Sequence, residues 1–307
     1  MNTMFKGGLQ RLIRAYPSLN LRIEVSKQQH EANVVLPGLR FEDIIFTGQP
    51  DIWRLYDMMG RVEFASFFNE YPFLNYTTLY SLGLGSVTKA VNLEVRSHFY
   101  ELTTPKSPLD MSMKLIHIGE NSFTILTELR CGGRQRPSIK VKSLYVLFNR
   151  KDGSKQAVPD WWREHFSKHV SHSDGRPFFI TPFEKPNQTY SHVFTVPLVD
   201  TDVRLRTRCA SYVRYFLDNA SVASYKDFYS NISTSFHEFH IKKLCMLYRA
   251  PSSWGDTLTA ETWEDPDDLL TLHCEVSDKG HRRWYGSMSF HSEIFGLPGP
   301  TLKNMEA

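Results

Sequence analysis

The 307-residue chain has no apolar run near the ~18 residues that a membrane-crossing helix needs, and no signal-peptide core. Its four cysteines, Cys131, Cys209, Cys245 and Cys274, show neither CxxC spacing nor a paired pattern, which fits free thiols in a reducing compartment. Charge of one sign is missing too. Thirty-six Lys and Arg against thirty-three Asp and Glu leave +3, too little to argue for a nucleic-acid partner. There is no GxSxG elbow, no P-loop and no GxGxxG, since Leu82-Gly83-Leu84-Gly85 lacks a third glycine. His237 and His240 lie three apart without further ligands at metal spacing, so neither a metal nor a cofactor is expected.

What is present can fill real cores: 41% of residues are hydrophobic and 13% aromatic, and the length has room for roughly two domains. The first 23 residues carry Lys6, Arg11, Arg14 and Arg22 and no acidic residue. They read as a short helix on the body, an anionic-membrane helix or an organelle-targeting peptide. A cytoplasmic location is expected, with a mitochondrial one as the alternative.

A loose repeat organises the rest. Asp51-Ile52 is followed ten residues after the Asp by Arg61-Val62-Glu63-Phe64, and Asp202-Val203 likewise by Tyr212-Val213-Arg214-Tyr215, an offset of 202 − 51 = 151. That is about half the chain and too long for a solenoid period. Each half reads as strand, long helix, then four strands. In the first, residues 41–47 predict a strand and Met58 to Tyr71 a helix, with Phe64, Phe67, Phe68 and Tyr71 at i, i+3, i+4 and i+7. Strands are expected near 89–100, 109–118, 121–130 and 138–149, and a short helix over Trp161 to Phe166. In the second, a strand over 190–197 and a helix from Cys209 to Tyr229 precede strands near 238–248, 256–263, 269–277 and 282–290. Val213, Phe216, Leu217 and Ala220 form that helix's stripe. The boundaries that follow are a basic segment over 1–35, a domain over 36–168, a linker over 169–189 and a domain over 190–307. A helix with a wide apolar stripe can cover one face of each sheet.

Residues Val199 to Ser221 (VDTDVRLRTRCASYVRYFLDNAS) resemble the signature of hotdog thioesterases of the 4-hydroxybenzoyl-CoA and plant acyl-ACP types. Residues Leu244 to Trp263 are similar to a further landmark of that family: an aromatic, a Pro, then Gly-Asp before an amphipathic strand. Residues Ser97 to Leu115 show it more weakly, through Tyr100 and Asp110. The resemblance implies an α+β fold, a tandem (double) hotdog, each half a long helix wrapped by an antiparallel sheet. The halves would pair within the chain; a homodimer is left open. It also implies an acyl-thioester hydrolase whose substrate is an acyl-CoA or an acyl-carrier protein, with helix N-terminal amides as oxyanion donors.

By that resemblance Asp202 takes the catalytic Asp place and Asp51 is its counterpart. Each also has a plain reading as a turn or helix-capping carboxylate. The family's Asn, His and Asn positions hold Arg204, Arg206 and Arg208 here, and Trp53, Leu55 and Asp57 in the first half. An Arg beside Asp202 would lower its pKa and weaken it as a base, so a His-assisted mechanism cannot operate unchanged. The three arginines read either as a rim for coenzyme A phosphates or as ion pairs with Asp200, Asp202 and Asp218. Glu63 and Asp218 are candidate helix carboxylates, and Tyr212 a candidate donor to the substrate carbonyl. Phe64, Phe67, Phe68, Phe216 and Leu217 are candidates to line an acyl tunnel. The other function classes are a catalytically inactive hotdog protein binding an acyl chain or acyl-CoA, and a hotdog hydratase or dehydratase. The latter needs an Asp and a His a few residues apart in the loop, a pair that neither half has.

Overall fold

A computed structural model of the chain describes residues 22–170, 180–232 and 239–292. The basic residues before Arg22 and the imidazole of His237 lie outside them. The described residues form two compact units that interleave along the chain: residues 22–42, 58–89 and 103–170, and residues 43–57, 90–102, 180–232 and 239–292.

The sheet of the first unit runs in the order β1 (Arg22–Val25), β2 (Glu31–Leu36), β4 (Leu109–Ile118), β5 (Ser122–Cys131), β6 (Ile139–Asn149) and β3 (Leu84–Val95). The registered pairs are antiparallel. Alternation fixes its faces: Leu109, Met111, Met113 and Leu115 of β4 are buried, as period-two patterning expects. Helices α1 (Ile52–Phe67), α2 (Tyr76–Ser81) and α3 (Asp160–Ser167) complete the first half. Phe67 of α1 stacks on Phe73 and Tyr76 and meets Tyr145 of β6 edge-on at 6.3 Å. Trp162 of α3 is fully buried, and its indole N–H donates to Leu74 O at 2.8 Å.

The sheet of the second unit follows the order β3 from Ala90 onward, β8 (Ile241–Tyr248), β11 (His281–Phe290), β10 (Thr271–Asp278), β9 (Thr257–Glu264) and β7 (Tyr190–Thr195), all antiparallel. Helix α4 (Cys209–Tyr225) packs on it through Phe216 and Tyr212, which meet Trp284 of β11, and Tyr215, which meets Phe194 of β7. Burying each such ring contributes roughly 1.5–3 kcal/mol. Residues Phe183 to Thr189 lie over the opposite face: Phe183 stacks on His273, and Lys185 and Thr189 bond Glu261. Both faces of β10 are therefore buried, not one.

Several expectations need correction. Residues 41–47 are not a strand; Phe41–Asp43 form a 3-10 turn and only Ile44 makes an isolated bridge, to Pro50. The first helix begins at Ile52, not Met58, and ends at Phe67. Its buried stripe runs through Ile52, Leu55, Tyr56, Met59, Val62, Glu63 and Ser66, so Phe64 and Tyr71 face solvent. The aromatic run after residue 63 imitates a helical period beyond the helix end. Helix α4 stops at Tyr225 because Asp227 turns left-handed, at φ 54°.

The internal repeat is present, at a different offset. The helix starts give 209 − 52 = 157. At that spacing Asp51 N–H to Asp43 O (2.8 Å) matches Arg208 N–H to Asp200 O (2.9 Å). Ile45 N–H to Gln49 O likewise matches Asp202 N–H to Arg206 O, both 2.8 Å. The Ile44–Pro50 bridge matches Thr201–Thr207. Gly48 and Leu205, at φ 82° and 60°, hold the same left-handed position. Asp51 therefore corresponds to Arg208, and Asp202 to Ile45.

Candidate functional site

Two segments about fifty residues apart in sequence meet ahead of α4. The loop 201–208 is strapped to the loop after β8: Thr207 N–H donates to Ser252 O at 2.8 Å, Trp254 N–H to Leu205 O at 2.9 Å, and Arg206 bridges Ser253. These are the segments whose patterns stood out in the sequence. Below the strap, the hydroxyls of Thr207, Ser252 and Tyr212 form a chain with two 2.7 Å links, and Ser252 N–H donates to the Tyr212 oxygen at 3.1 Å.

Tyr212 is buried, and burial raises its pKa above the ordinary phenol value. Its hydroxyl shares a hydrogen bond with Ser252 Oγ and accepts Ser252 N–H, which ties the loop to α4. Asp202 is exposed. Its Oδ1 accepts the N–H groups of Arg204 and Arg206 at 2.8 and 3.0 Å, an Asx-type turn that fixes the loop. No hydrogen bond occupies its Oδ2 among the described residues.

The three arginines do not share one role. Arg208 is clamped to the Asp57 carboxylate at 2.9 and 3.0 Å and donates to Val199 O at 2.9 Å. Positions that the 151-residue offset would superpose are thus partners instead. These bonds hold the Arg208 side chain against the fold. Arg204 and Arg206 are exposed, and among the described residues neither forms an ion pair. Beside the clamp, buried Asp200 accepts the Tyr215 hydroxyl at 2.8 Å and is ion-paired with Arg214. Burial first, then the Asp200 carboxylate, pushes the Tyr215 phenol far above its usual pKa.

The helix starts of the two halves differ. Asp51 sits at the N-cap of α1 and accepts the N–H groups of Trp53 and Arg54; burial nevertheless outweighs Arg54 and these bonds, and raises its pKa. The N-cap of α4 is Arg208, whose side chain makes no capping bond. One helix start is closed by its own carboxylate. The other is not.

Glu63 is the strongest surprise among the candidate residues. It lies in the buried stripe of α1, 6% exposed, with Oε1 lacking any partner. Burial drives its pKa from 4.5 to about 7, against a smaller lowering by the Tyr145 hydroxyl. Asp218 is exposed on α4. Of the residues expected to line a tunnel, Phe67 and Phe216 are core residues, Phe68 and Leu217 are half-buried, and Phe64 is 53% exposed. A cavity of about 210 Å³ lies elsewhere, on the first unit's sheet, among Glu31, Ser112, Lys114, Glu128 and Arg130. Met113 and Leu126 also line it, but the charged Glu31, Lys114, Glu128 and Arg130 do not suit an acyl chain. Asp57, Thr207 and Ser252 escaped the sequence reading because their partners are distant in sequence; only the Gly255-Asp256 turn after Ser252 marked the place.

No group of three metal-binding side chains occurs among the described residues, and no helix of theirs is long and apolar enough to cross a membrane.

The architecture is a double-hotdog fold. Solved structures with this fold include a 12:0-ACP thioesterase from Umbellularia californica, at TM-score 0.66 and 13% identity over 87% of this chain and 99% of that one. An acyl-ACP thioesterase from Bacteroides thetaiotaomicron matches at 0.59 and 14%, over 87% of this chain and 100% of that one. A protein described as an oleoyl thioesterase from Lactobacillus plantarum matches at 0.67 and 11%, over 91% and 99%. No family model and no curated protein matches the sequence.

Proposed function

We propose that the chain is an acyl-thioester hydrolase, acting on an acyl group carried by coenzyme A or a carrier protein, with the reacting loop in its second half. The observation that carries this reading is the start of α4, without a side-chain cap, behind a loop bearing an exposed carboxylate, in a fold shared with acyl-ACP thioesterases. A helix start without a side-chain cap favours negative charge. Amides there would receive the thioester oxygen as water adds to the carbonyl carbon; collapse of the oxyanion then expels the thiolate and leaves the acid. The Oδ2 of Asp202 is the group to orient that water and take its proton. The Thr207–Ser252–Tyr212 hydroxyl chain holds the loop in place. At the matching place in the first half Asp51 occupies the helix start, so that half supports the fold without a reacting loop.

A second reading is favoured by the arginines at the loop's three polar positions: an acyl-binding protein without turnover. Incubation with a panel of acyl-CoAs and a thiol-detecting reagent separates the two. Turnover that Asp202→Asn abolishes supports the hydrolase. Tight acyl-CoA binding with no thiol release selects the binding protein and overturns the hydrolase.

A further inference from the structure

The strap of loops ahead of α4 presents an unusual surface. Main-chain bonds from Trp254 to Leu205 and from Thr207 to Ser252 join the two turn tips, so their side chains form one patch. The tips set apolar side chains, Val203, Leu205 and Trp254, among the polar ones usual in turns. On the strap Val203 is 83% exposed, Trp254 56% and Leu205 45%; Leu198 and Val199, in the short 3-10 turn before it, are exposed as well. Single exposed apolar residues need no explanation, but a set gathered on one strap does. Between them stand the exposed Arg204 and Arg206, outside any ion pair among the described residues. Two carboxylates lie beside them, each with one oxygen held by main chain: Asp202 Oδ1 accepts two amides of its own loop, and Asp256 Oδ2 accepts Ser253 N–H at 2.8 Å. The equivalent tip of the first loop, 157 residues earlier, carries Phe46, also 83% exposed.

We propose that this surface docks on an anionic lipid bilayer. Val203, Leu205 and Trp254 enter the boundary between headgroups and acyl chains, where an indole is at home. Arg204 and Arg206 meet lipid phosphates, which suit the forked guanidinium donors. An acidic carrier protein would also attract the arginines. The exposed Val203, Leu205 and Trp254, projecting from separate turn tips, favour the bilayer, whose fluid boundary fits itself to them. The proposal concerns where the chain works and does not depend on thioester hydrolysis.

The test is sedimentation of the full chain with vesicles of phosphatidylcholine alone or mixed with phosphatidylserine, at low and high salt. Binding is expected only with the anionic lipid, and weaker in high salt. Arg204→Gln/Arg206→Gln should lower the affinity about fivefold per arginine. Val203→Ser/Trp254→Ser should lower it about tenfold or more and remove quenching of tryptophan fluorescence by brominated lipid. All four side chains project from the surface, so unchanged melting temperatures confirm that the variants fold. Absence of binding to the anionic vesicles overturns the proposal. So does binding that both double variants leave unchanged, which would assign it to another part of the chain. Capture by an acyl-carrier protein through these residues, without vesicle binding, assigns the surface to a protein partner and also overturns it.

Discussion

Glu63 makes stability depend on pH in the direction opposite to that of a salt-bridged carboxylate. Its pKa is near 4.5 in an open chain and about 7 in the fold, raised by burial. Because the folded state holds the proton more tightly, the neutral carboxyl favours folding below pH 4.5. That advantage drains away as pH rises from 4.5 through 7 and is gone above it. The difference, 7 − 4.5, corresponds to about 3 kcal/mol. Glu63→Gln keeps the shape and removes the charge. Relative to the parent, its stability should therefore rise progressively across this window, reaching about 3 kcal/mol above pH 7. That is a melting temperature higher by about 6–12 °C. Melting curves of parent and variant from pH 4 to 8 measure it, and subtracting them cancels the other titrating groups. A difference curve flat with pH, or a variant less stable at pH 8, would refute the reasoning.

Other perturbations follow from the same structure. His240 is buried with both ring nitrogens unpartnered, and burial, with His291 nearby, lowers its pKa to about 4. The fold therefore resists its protonation. Stability should fall as pH drops from 6.5 through 4, and His240→Phe, which cannot take up the proton, should show a shallower acid limb in denaturant titrations. Arg208→Met takes the guanidinium away from the mostly buried Asp57 carboxylate and should cost about 3 kcal/mol by urea unfolding. Adding Asp57→Met should recover much of it; a double variant as unstable as the sum of the two singles would refute the clamp. Leu205→Gly relieves the left-handed residue that its repeat partner Gly48 already accommodates, and should raise stability by about 0.5–1 kcal/mol in the same assay. A loss instead would mean that the Leu205 side chain matters more than its backbone.

The duplicated fold was legible in the sequence because strands and helices leave periods. Met111, Met113 and Leu115 alternate and are buried on one face, and Phe216 and Ala220 mark the buried stripe of α4. The start of α1 was not legible. Ile52, Leu55, Tyr56 and Met59 carry the true stripe, but Arg54 and Asp57 interrupt it and the denser aromatics from Phe64 to Tyr71 outweigh it. The candidate site was half legible. Asp202 and the Gly255-Asp256 turn belong to local patterns, and the fold brings their loops together. The Arg208–Asp57 clamp has no local pattern, because its partners come from different helices. Burial of Glu63 depends on which face of α1 turns inward, and a shift of the helix start changes that face.

The two helix starts offer the most direct test of the thioesterase reading: kcat/KM of Asp202→Asn and Asp51→Asn measured side by side on one acyl-CoA. The account predicts a loss of about a hundredfold or more for Asp202→Asn, typical of removing a positioned base. It predicts a change within about twofold for Asp51→Asn, since Asn caps a helix about as well as Asp. Equal activity of the parent and Asp202→Asn, or a collapse confined to Asp51→Asn, would contradict it.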